Sequence, residues 1–273
     1  MAGTFFFANF AAMMKDATAA VPSRWDERTR RLLGDDAADA LARARVLVVG
    51  VGGVGGYAVE MLVRSGVGHV TAVDADAVDV TNLNRQIIAT RDTVGMAKTE
   101  VMAQRARSIN PDVDFVTLQM SVTPDNAAEL LLPGYDYVLD CIDTVAPKVA
   151  LLAHCLTDRL RVISSMGAGG RTDPSQVSYF DLWETRDDGL ARAVRQRLKR
   201  MGLRRRLPVV ASTERPHTAS LIEVDSAYKR TSYGTVASLP ATFGIFMAAK
   251  VTNDLAAEAW REDSNKNDCG RTA

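Results

Sequence analysis

Gly50, Gly52 and Gly55 stand as G-x-G-x-x-G, with Gly53 and Gly56 beside them, where the β-branched run RVLVVG meets the helical stretch YAVEMLVRSG. Glycines at such a junction let backbone N–H groups face a phosphate with no Cβ in the way, and the helix N-terminus adds a favourable dipole. Asp74 closes the next apolar run, HVTAVD, at the place where a carboxylate accepts ribose hydroxyls. The segment DADAVDVTNLNRQ, residues 74 to 86, then ends in Asn84, Arg85 and Gln86, an arginine set among amides just after that acid. Strand, loop, helix and acid fall in order, which predicts a nucleotide site rather than a ligand-free glycine turn.

The glycine motif alone does not choose between a nicotinamide dinucleotide and ATP. Charge separates them: a pyrophosphate is held largely by backbone and helix dipole, whereas reaction at a triphosphate calls for fixed cations and a metal. Arg85 and Lys98 are candidate cations, and Asp143, which ends the stretch YVLDCID, is a candidate magnesium ligand. Each charge alone reads as a solvated surface group; their common position after the ribose acid favours ATP with Mg2+.

These residues need a scaffold, and the pattern supplies one. From Arg45 onward apolar strands alternate with amphipathic helices, which predicts an α/β, Rossmann-like, doubly wound and mainly parallel sheet with helices on both faces. Expected strands are RVLVVG, HVTAVD, DVDFVTLQM, YDYVLDCID and RVISSMG; expected helices follow the glycine loop, lie in GMAKTEVMAQRARSIN, and run from about Ala146 to Asp158. No repeat or linker divides the chain, so residues 24–262 read as one domain, with residues 1–23 a loose tail and residues 263–273 a polar one.

Across 273 residues the 33 basic and 33 acidic side chains cancel, so no global field would attract nucleic acid, and any polyanion site must be local. One is visible. LARAVRQRLKRMGLRRR lies in a basic helical insertion near 186–206, where Arg192, Arg195 and Lys199 share a stripe and Arg204, Arg205 and Arg206 follow. Arg195, Lys199, Arg204, Arg205 and Arg206 are candidate contacts to an RNA backbone; a solvated basic helix and an anionic membrane surface are the other readings. Cys141, Cys155 and Cys269 have no CxxC spacing, which excludes a four-thiolate zinc site and fits a reducing cytoplasm. No run of eighteen apolar residues marks a transmembrane helix.

In the order GVGGVG, DADxVxxxNxNRQ, GxxK and DCID, the chain resembles the ubiquitin-activating-enzyme-like superfamily, which includes the molybdopterin- and thiamine-pathway adenylating enzymes. The resemblance runs from about Arg24 to Trp260 and implies joining a carboxylate to AMP. It implies that Gly50, Gly52, Gly53 and Gly55 line the phosphates, that Asp74 holds the ribose, and that Asn82, Arg85 and Lys98, with Gln86 in the same set, contact the triphosphate. Asp143 would meet magnesium, and Arg28 in RWDERTRRLLG would reach into the site of a partner subunit in a homodimer. The second half resembles most closely the tRNA threonylcarbamoyladenosine dehydratases, in VISSMGAGGRTDP, DLWETRDDGLARAVRQRLKRMG, LPVVASTE and GTVASLPATFG. Relatives often carry a cysteine just before the last of these stretches; here Tyr233 stands there.

The cysteines agree with a dehydratase. Residues 156–268 hold none that would accept an acyl group as in ubiquitin-type activators. A dehydratase needs none, because its substrate carries both reacting groups. Three other functions compete: adenylation of a small sulfur-carrier protein, with a sulfur-relay partner; a nicotinamide-dependent oxidoreductase, which leaves Arg85, Lys98 and Asp143 unexplained; and an RNA-binding protein with a vestigial nucleotide fold.

Overall fold

The computed structural model describes residues 24–223 and 231–269. Its main sheet contains β1 (Arg45–Val49), β2 (His69–Val73), β3 (Asp114–Leu118), β4 (Tyr137–Asp140), β5 (Val162–Ser165), β6 (Val177–Asp181) and β7 (Pro208–Ser212). The strand order is β3-β2-β1-β4-β5-β7-β6, parallel throughout except for the β6–β7 pair. Beyond Arg45 every residue of β1 is buried, as a central parallel strand covered on both faces requires.

The period of two in β1 sorts its side chains between two cores. Val46 and Val48 face one layer with Ala58, Leu62, Met102, Phe243, Met247 and Val251, while Leu47 and Val49 face the other with Leu130, Leu151, Leu152, Val194 and Leu198. The first layer is built by α2 (Asp35–Arg43), α3 (Gly55–Arg64), α4 (Lys98–Ile109) and α8 (Ser238–Cys269); the second by α5 (Ala127–Leu131), α6 (Val145–Thr157) and α7 (Gly189–Arg200). A short helix, α1 (Glu27–Leu33), precedes them, and β8 (Leu221–Glu223) pairs with β9 (Thr231–Tyr233) as a separate antiparallel ribbon. Among the described residues no helix is long and apolar enough to cross a membrane.

The chain reverses its winding between β1 and β4. Crossovers from β1 lead outward to β2 and β3 on one side, and from β4 to β5 and β7 on the other. Loops at the carboxyl ends of β1 and β4 therefore part, leaving the crevice where such sheets bind ligands.

Three boundaries differ from the sequence reading. α8 continues through residues 263–269, because the polar stretch after Trp260 has no glycine or proline before Gly270 and so nothing to stop a helix. Strand β4 ends at Asp140, so Cys141 and Asp143 lie in the loop after it. The basic helix ends at Arg200 with Gly202 in the left-handed conformation, φ +75°, which puts Arg204, Arg205 and Arg206 in the connection between that helix and β7. Residues 1–23, read as a loose tail, lie outside the described residues.

Candidate active site

Sheet hydrogen bonding runs on past the strands and fixes the site's first residues. The amide of Gly50 donates to Val73 O (2.8 Å), Asp74 to Leu118 O (3.2 Å), Cys141 to Val49 O (2.9 Å) and Met166 to Val210 O (2.9 Å). Gly50 takes φ +92°, open to glycine, and a Cβ at Gly55 would stand 1.7 Å from the Gly50 carbonyl oxygen. Strand end and helix start thus touch. The N-terminus of α3 has no side-chain cap; within the loop the Gly56 amide donates to Gly52 O (3.0 Å).

Asp74 is held by this loop from behind. One carboxylate oxygen accepts the Val51 amide (2.7 Å), the other the Asp76 amide (2.9 Å). Burial raises the Asp74 carboxyl above its ordinary value, against the opposing pull of Lys98 and the two amides. Lys98, the first residue of α4 and buried, sets its Nζ 2.6 Å from Asp76 and 3.9 Å from Asp74. The buried ammonium is thus held between two carboxylates.

Arg85 is fixed differently. Its guanidinium donates to Thr81 O and Asn84 Oδ1, both at 2.9 Å. Its stem passes close to Gly53, where a Cβ would lie 3.6 Å from the arginine Cγ. Gln86 is buried with its amide nitrogen 3.7 Å from a Cβ position at Gly52, and its Oε1 has no partner among the described residues. Asn82 accepts the Asp79 amide (3.1 Å) on its Oδ1 and closes the turn that presents Arg85. The structure therefore brings Gly50, Gly52, Gly53, Gly55, Asp74, Asn82, Arg85, Gln86 and Lys98 to one edge of the sheet. Asp143 is exposed in the loop after β4, at the same edge.

A family comparison decides what this arrangement belongs to: the ThiF family profile matches residues 26–268. The chain belongs to the ThiF family. It is 47% identical over 182 residues to the tRNA threonylcarbamoyladenosine dehydratase of Escherichia coli, covering 66% of this chain and 68% of that one. To the enzyme of the same name from Haemophilus influenzae it is 37% identical over 236 residues, 82% of this chain and 90% of the other. The solved structure of the E. coli dehydratase, TcdA, in complex with ATP superposes with a TM-score of 0.78 at 40% identity, covering 85% of this chain and 94% of that one.

This ThiF-family chain also carries groups that the pattern of residues did not disclose. Lys148 on α6 is wholly buried and pairs with buried Asp140 at 2.5 Å, while Ser164 Oγ donates to the same carboxylate oxygen at 2.6 Å. Asp140 Oδ1 accepts the amide of Ile142 (3.1 Å), so this ion pair holds the loop that leads to Asp143. The signal was an acid ending an apolar strand, with a lysine inside an apolar helix. Arg171, also buried, donates to Glu214 O (2.8 Å), to Asp187 O (3.0 Å) and to Gly167 O, and Glu214 in turn accepts the amides of Thr172 (3.0 Å) and Asp173 (2.9 Å). Burial opposes ionisation of Glu214, but those amides hold its carboxyl below the ordinary value. His217 is exposed, with Nε2 3.5 Å from Glu214.

The remaining candidates separate. Arg28 is exposed on α1 and makes no ion pair among the described residues, whereas Arg24, Arg30 and Arg31 all do. In the basic segment Arg195 turns inward, donating to Leu182 O (3.1 Å), Thr185 O (2.8 Å) and Thr185 Oγ1. Arg205 donates to Leu156 O (3.1 Å) and its own carbonyl accepts Trp183 Nε1 (2.8 Å). Lys199, Arg204 and Arg206 are exposed without ion pairs among the described residues. Cys141 and Cys155 are free thiols pushed up by burial, Cys155 to about 12.

Proposed function

We propose that this chain is an ATP-dependent tRNA threonylcarbamoyladenosine dehydratase. The observation that carries it is the fixed cation Lys98 beside Asp74 and the glycine loop, with Arg85 on the neighbouring turn, in a chain alike along most of its length to enzymes of that name. ATP lies with its phosphates on the amides of the glycine loop and its ribose on Asp74. Asn82, Arg85, Gln86 and Lys98 surround the triphosphate, where Arg85 and Lys98 offset charge on the departing pyrophosphate.

The threonyl carboxylate oxygen attacks the α-phosphorus, pyrophosphate leaves, and a mixed anhydride with AMP forms. A nitrogen of the neighbouring ureido group then attacks the activated carbonyl, loses its proton and expels AMP. The base has lost one water, and the carboxylate oxygen has left in AMP. Ring closure within one molecule supplies an effective molarity on the order of 10⁵ M or more when the groups are aligned. No protein nucleophile is required, in keeping with the buried thiols of Cys141 and Cys155.

Asp143 fits a nucleotide-borne magnesium ion. Among the described residues no three His, Cys, Asp or Glu side chains cluster to hold a metal alone, and Mg2+ ordinarily takes one or two carboxylates with the rest of its shell from phosphates and water. When bound, it would neutralise phosphate charge.

Lys199, Arg204 and Arg206 form the surface for the tRNA backbone, while Arg195 and Arg205 anchor it. Arg28, exposed and without an ion pair among the described residues, supports a homodimer in which it enters the partner's site. One domain over residues 24–262 is supported by a single main sheet whose two faces carry helices from along the chain, and a cytoplasmic setting by a tRNA substrate. The decisive experiment incubates the protein with Mg-ATP and tRNA bearing threonylcarbamoyladenosine and weighs the nucleosides under mild conditions. Loss of one water that depends on ATP is expected; an unchanged nucleoside with ATP bound overturns the reading and favours a carrier-protein substrate.

A further inference from the structure

The loop after β5, Met166 to Arg171, lies between the phosphate-binding stretch and the basic helix, and it is tied to both. On one side Arg85 donates to Asn84 Oδ1 (2.9 Å), and Asn84 Nδ2 donates to Thr235 O (2.9 Å). Gly170 then donates its amide to Gly234 O (2.9 Å), and His217 donates to Gly170 O (2.7 Å). Gly170 has φ +75°, and a Cβ there would stand 2.8 Å from the Tyr233 ring, so the loop presses directly on the 233–235 segment.

On the other side the tie is Asp188. This carboxylate is buried; Oδ2 accepts the Gly167 amide (2.9 Å) and Oδ1 accepts the Ala191 amide (2.8 Å) as the N-cap of α7. Arg171 lies 3.6 Å from the same carboxylate and spans Gly167 O and Asp187 O. A cap needs only one acceptor, and an asparagine or serine supplies it. The second oxygen registers the helix against the loop.

We propose that Asp188, with Arg171, is a positioning residue: it sets the register between the exposed cations on and just beyond the basic helix and the phosphate-binding stretch ending in Arg85. This rests on the dehydratase reading. A tRNA held on Lys199, Arg204 and Arg206 then delivers its modified base to the adenylating site in one orientation. Displacement of about 1 Å in such a register costs on the order of 10²-fold in rate.

The test is Asp188→Asn, which keeps the shape and the cap but has one acceptor oxygen where two are needed, with Asp188→Ser as a second, smaller cap. ATP affinity, tRNA affinity and the salt slope of tRNA binding are measured alongside the dehydration rate at saturating tRNA, counted per ATP-binding site. The expected result is binding within about twofold of wild type with the saturated rate down roughly 10-fold or more. A purely structural role lowers the ATP-binding fraction and leaves the rate per site unchanged, which overturns the proposal. So does a loss confined to tRNA affinity. Wild-type protein that binds ATP and tRNA yet removes no water sinks the dehydratase reading itself, and the proposal with it.

Discussion

Replacing Lys148 by Met removes one half of the buried pair beneath the loop to Asp143. Both side chains have no exposed surface and stand 2.5 Å apart. At an effective dielectric of about 20 that separation corresponds to an attraction of roughly 7 kcal/mol, most of which offsets the several kcal/mol needed to remove each ion from water. The intact pair is therefore worth little, but its disruption is not: Asp140 keeps Ser164 and Ile142 as donors and loses its only cation among the described residues. Lys148→Met should cost about 3–5 kcal/mol, and Asp140→Asn a similar amount by stranding the ammonium. The double variant removes both charges and should cost less than the sum by at least about 2 kcal/mol. Urea titrations followed by far-UV circular dichroism measure this as a shift in midpoint at constant slope. Single variants that cost under about 1 kcal/mol, or a double variant equal to the sum, would refute the reasoning.

Arg85→Ala should leave stability within about 0.5 kcal/mol, since the guanidinium bonds only to its own turn, and lower AMP formation about 10²–10³-fold; Arg85→Lys should restore part of it at most. For Glu60, burial opposes ionisation but the hydrogen bonds from Arg105 and Arg64 win, holding the carboxyl below its ordinary value of 4.5. Its stabilising contribution is then complete above that value and lost as pH falls through the lower folded value, so the stability gap between wild type and Glu60→Gln should close on acidification; a gap that widens in urea titrations at acid pH contradicts it. Cys141 and Cys155 should resist alkylation until the chain unfolds, and peptide mass mapping after iodoacetamide checks this. Arg204→Glu with Arg206→Glu should weaken tRNA binding and flatten its salt dependence, by about one unit of slope for each phosphate no longer neutralised.

What could be read from the sequence was whatever depends on neighbours along the chain. The β-branched run before Gly50 had to be a buried strand, and Gly55 had to touch Gly50, because the turn between strand and helix is closed within six residues. The helix expected from Ala146 to Asp158 forms one residue earlier, over Val145–Thr157, for the same reason: its apolar spacing is local. The pairing of β6 against β7 could not be read this way, since an antiparallel edge strand is chosen by partners about thirty residues apart.

The buried charges failed to show for a deeper reason. Lys148 within VAPKVALLAHCLT stands out as a lysine inside an apolar helix, but its neighbours along the chain do not say that β4 will set Asp140 against it. The same holds for Arg195 and Arg205, which belong to a run of cations that looks uniform, yet direct their guanidinium groups to the carbonyls of Leu182, Thr185 and Leu156. Charge in a sequence gives the sum over a segment; the fold decides which members of the segment face water. The basic segment thus holds two sets of residues: Arg195 and Arg205, whose guanidinium groups bond to carbonyls of the protein itself, and Lys199, Arg204 and Arg206, exposed and without ion pairs among the described residues.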